Sequence, residues 1–188
     1  MRLLSLFLFA LAQLCVAQQQ SDSKRDSAFE KLVLADLRRP FPSDAELAQR
    51  LASHRKDFER LVAMAKEDKE LIRIAPDFTW TTSTVKWPRP DSELGFSKQR
   101  WDEYRRLFST LGIEAGVLRP WDHRDALYLL VQTKGLVTGG FIKGYAYSDV
   151  TLEPHCDSLD NLKALHSDSG LCFKPLDGKW YLYLEFED

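Results

Sequence analysis

The chain has 188 residues, 26 Lys plus Arg against 28 Asp plus Glu, a formal net charge of −2 and 44% hydrophobic residues. That length suits one domain with a real core. The balanced charge, with no basic stripe, argues against a nucleic-acid partner.

Residues 1–17, MRLLSLFLFALAQLCVA, combine one early basic residue, Arg2, with a nearly continuous apolar run and the small residues of Cys15-Val16-Ala17. This pattern predicts a signal peptide cleaved after Ala17, since the apolar core is short for a membrane span. Leu14 stands before Cys15 where a lipoprotein signal needs a small residue, so lipid anchoring is the minor alternative. A periplasmic or secreted protein without a transmembrane segment in its mature chain is expected. Residues 18–26 read as a flexible leader, and 27–188 as a single domain.

Ser27 and Glu30 make a capping-box pattern, after which Phe29, Leu32, Val33 and Leu37 recur at helical spacing. The Pro40-Phe41-Pro42 run stops that helix. Ser43 and Glu46 repeat the signal, and one long helix is expected to about Lys69. Its apolar stripe is Leu47, Leu51, Phe58, Leu61, Val62 and Ala65, with charged residues on the outer face. Ala75 to Phe96 reads as an irregular, aromatic connection, with a short edge strand allowed between Phe78 and Val85. Trp80 and Trp87 there either pin the loop to the core or meet a partner; pinning is the expected role. Ser97 caps a third helix carrying Trp101, Tyr104, Phe108 and Leu111, and Gly112 ends it. Ile113 to Leu118 suits a strand.

The centre of the expected sheet is Ala126 to Ser148. An apolar strand at Leu127–Val131 is followed by a turn signal at Lys134-Gly135 and a second strand from Leu136 to Tyr147. Val137, Phe141, Tyr145 and Tyr147 share one face, and Leu136, Ile142 and Ala146 the other. Gly139, Gly140 and Gly144 mark a bulge or tight packing, with close approach of a ligand as the rival. Lys143 reads most simply as a solvated strand residue. Beyond Val150 a polar loop is expected, with a helical turn near Leu159 to Leu165. Asp177-Gly178 then turns a hairpin into a strand in which Trp180, Leu182, Leu184 and Phe186 alternate with Tyr181, Tyr183 and Glu185. The fold class predicted is α+β, with N-terminal helices packed on a C-terminal antiparallel β-sheet.

At GLVTGGFIKGYAYS (Gly135–Ser148) and WYLYLEFED (Trp180–Asp188) the chain resembles a group of small, exported, uncharacterised proteins of Gram-negative bacteria. The resemblance covers about the C-terminal third. It implies the compartment and the fold, and brings neither an activity nor site residues.

Cys15 leaves with the signal, so Cys156 and Cys172 are the expected disulfide of an exported chain. Metal ligation by His155, Cys156, His166 and Cys172 is the rival, but their spacing lacks the short paired intervals of structural zinc sites. No metal site and no cofactor are predicted. The expected function is that of an exported, non-enzymatic binding or envelope-associated protein with a protein or glycan partner. Its candidate surface is Trp80, Trp87, Tyr145, Tyr147, Tyr181 and Tyr183, since a tyrosine ring offers wide contact area with a polar tip. The alternative is a small hydrolase or metal-dependent enzyme using His123 and Asp125, or His155 and His166. That reading requires those groups to converge in one pocket.

Overall fold

Ser43 starts a helix just as its spacing from Glu46 predicts. Ser43 Oγ accepts the Glu46 amide at 3.2 Å, and Glu46 Oε2 accepts the Ser43 amide at 2.7 Å. This reciprocal pair satisfies two of the donors that every helix start leaves open. The computed structural model that shows it describes residues 31, 34–81, 85–86, 97–136, 139–160 and 169–187. The predicted signal peptide and leader lie outside them.

The chain divides into two compact units, residues 1–40 and 41–188. In the first, residues 34–38 are helical, and the Arg39 amide closes the turn on the Ala35 carbonyl at 3.1 Å. Of the apolar positions predicted for that helix, only Leu37 falls among the described residues.

In the second unit, α1 spans Asp44–Ser53 and α2 spans Arg55–Glu67. The single long helix expected from Ser43 to Lys69 is therefore two. His54, at φ −119° and ψ 27°, leaves the helical region. Its amide closes α1 on the Arg50 carbonyl at 3.0 Å, and its own carbonyl accepts the Asp57 and Phe58 amides that open α2. The apolar stripe survives the break: Leu47, Leu51, Phe58, Leu61, Val62 and Ala65 are all buried. The third helix, α3, runs Lys98–Leu111, with Ser97 Oγ accepting the Arg100 amide at 3.2 Å. Gly112 ends it in the left-handed region, φ 64°, which a side chain would strain.

Among the described residues eight strands make one sheet: β1 Leu71–Ile74, β2 Thr79–Thr81, β3 Val85–Lys86, β4 Gly116–Leu118, β5 Ala126–Leu136, β6 Gly139–Ser148, β7 Ser169–Pro175 and β8 Trp180–Glu187. Their order is β3-β2-β1-β4-β5-β6-β8-β7, with antiparallel neighbours throughout. The predicted fold class is overturned here. Helices do not precede a C-terminal sheet: β1, β2 and β3 come before α3, and the sheet takes strands from Leu71 onward. The missed strand, Leu-Ile-Arg-Ile, is too short to show a period of its own, and it pairs with β4 far along the chain.

The central pair also departs from expectation in one place. Lys134-Gly135 is not a turn: β5 continues through it, with Lys134 opposite Phe141 and Gly135 opposite Gly140. The irregularity sits between Leu130 and Gln132 in β5, facing Gly144 and Lys143. A β-carbon on Gly144 would run into the Leu129 carbonyl oxygen and the Tyr183 ring, so this glycine is there for close approach.

Helices α1, α2 and α3 pack on one face of the sheet. Their apolar residues join Leu127, Leu129, Val131, Tyr145, Trp180, Leu182 and Leu184 in the larger core. The opposite face carries a smaller cluster, Ala126, Tyr128, Leu130, Ala146, Leu152, Phe173, Tyr181 and Tyr183, with no helical member among the described residues. The predicted alternation of β6 and β8 is what sorts these residues. The outer edge of β7 is not left open. Residues 154–156 lie along it, the Cys156 amide bonding the Phe173 carbonyl and the Phe173 amide the Pro154 carbonyl, both at 2.8 Å. Covering an edge in this way removes a template for unwanted strand pairing.

Candidate functional site

Lys143 lies on the same face of β6 as Tyr145, so its side chain enters the helix side of the sheet. It is 1% exposed. The solvated role expected for it is overturned by two carboxylates that come to meet it. Its Nζ lies 2.9 Å from Asp44 Oδ1 and 2.6 Å from Asp160 Oδ1. Asp44 Oδ2 accepts the Leu159 amide at 2.9 Å and the Lys174 ammonium at 3.1 Å. The Asp44 amide, at the start of α1, donates to Asp160 Oδ1 at 2.9 Å. Two cations thus face two carboxylates, and a buried charge is tolerable when paired this fully. Burial pushes the Asp44 carboxyl up, but the Leu159 amide and the ammoniums of Lys143 and Lys174 outweigh it and hold it at about 2. The group is a staple joining α1, β6, β7 and residues 158–160. Its charges are already occupied by one another.

The other face of the sheet gathers three buried polar groups without partners among the described residues; on the helix side the Trp180 indole Nε1 is in the same condition. Arg73, Leu118 and Tyr128 are successive cross-strand neighbours on β1, β4 and β5, so their side chains share that face. The next register step brings Gly116, Leu130, Gly144 and Tyr183 into line. The missing side chain of Gly144 lets the Tyr183 ring lie down over the sheet, where its centroid is 4.4 Å from that of Tyr128. Arg73 Nη2 donates to the Ala115 carbonyl at 3.1 Å, and its guanidinium stands 5.4 Å over the Phe78 ring. Arg73 Nε, Tyr128 Oη and Tyr183 Oη are all buried without a hydrogen-bond partner among the described residues. Burial lowers the Arg73 pKa and raises those of Tyr128 and Tyr183, with the Glu185 carboxylate adding to the rise in both phenols. Both tyrosines therefore stay protonated at neutral pH, in the form that donates.

Two histidine rings border this face. His123 is half-buried, 5.8 Å from the Phe173 ring, and the exposed His155 stacks 6.4 Å from Tyr181. Trp121, two residues before His123, is 56% exposed, with the Arg124 guanidinium 5.9 Å over it.

The predicted binding surface is divided by the fold. Tyr181 and Tyr183 lie on the helix-free face, both buried. Tyr145 lies on the helix face, wholly buried, and donates to the Leu47 carbonyl at 2.9 Å. Tyr147 is half-buried there under the Lys66 ammonium, 4.7 Å from its ring. The four tyrosines thus do not make one exposed patch, because alternation sends 145 and 147 to one side and 181 and 183 to the other. Trp80 is half-buried on β2, and Trp87 lies outside the described residues.

Of the predicted acid–base groups, Asp125 is exposed on the turn before β5, and His166 lies outside the described residues. No three His, Cys, Asp or Glu side chains gather as a metal-ligand group among the described residues. A groove of about 510 Å³ lies between α1 and the β7–β8 turn, lined by Ala48, Leu51, Ala52, Arg55, Leu176 and Asp177. Its two charged residues pair with each other at 3.1 Å. Cys156 and Cys172 lie at disulfide distance, with Cα atoms 5.9 Å apart.

Sequence reasoning missed Arg73 and Tyr128. The available signal was a single cation inside the apolar run Leu-Ile-Arg-Ile, and a hydroxyl inside Ala-Leu-Tyr-Leu-Leu-Val. Among the described residues, no helix is long and apolar enough to cross a membrane. No family model, no curated protein and no solved structure matches the chain.

Proposed function

We propose that this is an exported binding protein, periplasmic or secreted, that meets a protein or glycan partner through the helix-free face of its sheet. The observation that carries the reading is the set of donors on that face without a partner among the described residues, Arg73 Nε, Tyr128 Oη and Tyr183 Oη, bordered by the His123 and His155 rings. Buried donors are normally bonded, and a cluster of open ones is a place where another molecule completes the set. The exposed Trp121 and His155 supply the flat, amphipathic contact area that recognition favours.

Export is supported by the N-terminal pattern of residues 1–17 and by the cysteine pair, which an oxidising compartment would close into a disulfide. That bond fastens residues 154–156 along β7, so the rim histidine His155 is held at a fixed place over Tyr181.

The test couples location to capture. A C-terminally tagged chain expressed in a Gram-negative host is followed by fractionation and then by cross-linking to envelope components. The expected result is release with the periplasm or medium, and a cross-linked species that the Trp121→Ala/His155→Ala double variant loses at unchanged melting temperature. A protein retained in the cytoplasm, or a variant that cross-links as well as wild type, contradicts the reading.

A further inference from the structure

We propose that Arg73, Tyr128 and Tyr183 form a binding site for an oxyanion, a carboxylate or phosphate group carried by the partner. The proposal rests on the reading of this face as the recognition surface and names the chemistry it takes.

Three observations carry it. The Arg73 side chain is half-buried with its Nε fully covered, yet its hydrogen bond is to a backbone carbonyl, Ala115, and not to a carboxylate. A buried cation ordinarily has a counter-charge in contact, as Lys143 has on the other face. The remaining donor of that guanidinium edge, Nε, is without a partner, and so are the hydroxyls of Tyr128 and Tyr183. Three donors and one positive charge with no carboxylate bonded to it among the described residues match a group that accepts several hydrogen bonds and brings a negative charge.

The charged neighbours limit where that group can sit. Glu185 lies on β8 two residues beyond Tyr183, one register step farther from the row of Arg73, Leu118 and Tyr128. Its carboxylate disfavours an anion at that end and leaves the Arg73 side as the favourable one. Asp77 and Asp122 act on Arg73 and Tyr128 from the surface, where both are exposed. Arg73 itself is half-buried, as are Phe78, Ala115 and Leu118 around it. Approach from the β1 side therefore reaches the guanidinium first and the two phenols behind it.

The site is tested by isothermal titration of the full chain with sodium phosphate and, separately, disodium succinate, with sodium chloride matching the ionic strength. Wild type is expected to bind at least one of the two saturably and one-to-one. A phosphate-only result assigns a phosphate-bearing ligand, and a succinate-only result a carboxylate. The Tyr128→Phe/Tyr183→Phe double variant keeps both rings and removes only hydroxyls that bond nothing in the free protein, so it folds. It is expected to weaken binding by about tenfold or more, and Arg73→Gln to abolish it. Wild type binding neither anion, or the double Phe variant binding as tightly as wild type, overturns the oxyanion site. If the cross-linked species dependent on Trp121 and His155 persists in that case, the recognition face stands and only its ligand chemistry falls. If both are lost, the reading of the face falls too.

Discussion

Lys143 Nζ lies 2.9 Å from Asp44 Oδ1, joining a residue in the middle of β6 to the first residue of α1. This ion pair fixes the helix layer on the sheet at a point where neither partner has water to fall back on. Removing one partner of a buried pair leaves the other charge uncompensated, at a cost of about 3–5 kcal/mol. Lys143→Ala is therefore expected to lower stability by that amount in urea unfolding, and Lys143→Met, which refills the volume, by less. Equal small effects from both would mean that the pair does not hold the layers together.

The same carboxylate gives a pH signature. Asp44 has a folded-state pKa of about 2 against an ordinary 3.8. Its folded value is depressed, so its contribution to stability is fully present above about pH 4 and is lost as pH falls towards 2. Unfolding free energy measured from pH 5 to 2 should fall more steeply in wild type than in Asp44→Asn, which has no such group to protonate. Parallel curves would show that Asp44 does not carry the acid sensitivity.

Cys156 and Cys172, once joined, close a loop with a sequence separation of 16. The chain-entropy estimate for such a loop is about 3 kcal/mol, corresponding to a fall of roughly 6–12 °C in melting temperature on reduction of a protein this size. Thiol titration in denaturant should find no free thiol before reductant and two afterwards in the mature chain. Two thiols without reductant would place the pair in the reduced state and leave residues 154–156 held to β7 by the backbone hydrogen bonds at Phe173.

Tyr145 distinguishes a core tyrosine from a recognition tyrosine. Its hydroxyl donates to Leu47 at 2.9 Å and its ring meets Phe58 edge-on, with centroids 4.7 Å apart. Tyr145→Phe should cost about 1 kcal/mol for the lost bond, and Tyr145→Ala about 3–5 kcal/mol for the cavity. Tyr128→Phe, whose hydroxyl bonds nothing, should be nearly neutral in the same assay. A Tyr128→Phe loss as large as that of Tyr145→Phe would show that the hydroxyl is satisfied in the free protein.

These contrasts mark what was legible in the chain. Local chemistry was: Ser97 and Gly112 delimit α3, Ser43 and Glu46 start α1, and Asp177-Gly178 turns β7 into β8. The alternation of Trp180 to Phe186 correctly separated the two faces of β8. What could not be read is whatever depends on distant partners. Lys143 looks solvated until Asp160, and Asp44 beside it, close on it from another part of the chain; Asp44 and Asp160 are themselves 116 residues apart. Arg73 looks incidental until β1 takes its place beside β4, which aligns it with Leu118 and then Tyr128. Strand order, and so the site, follows from long-range pairing that no short window contains. The break at His54 leaves no such trace either, since the apolar stripe continues across it.

Whether the face of Arg73, Tyr128 and Tyr183 receives the ligand is measured most directly by NMR of the full chain. Side-chain resonances of Arg73 Nε–Hε and of the Tyr128, Tyr183 and Tyr145 rings are followed while phosphate or succinate is added at constant ionic strength. The account predicts saturable shifts at Arg73, Tyr128 and Tyr183, with Tyr145 on the opposite face unmoved. Shifts that never saturate, or that are largest at Tyr145, would contradict it.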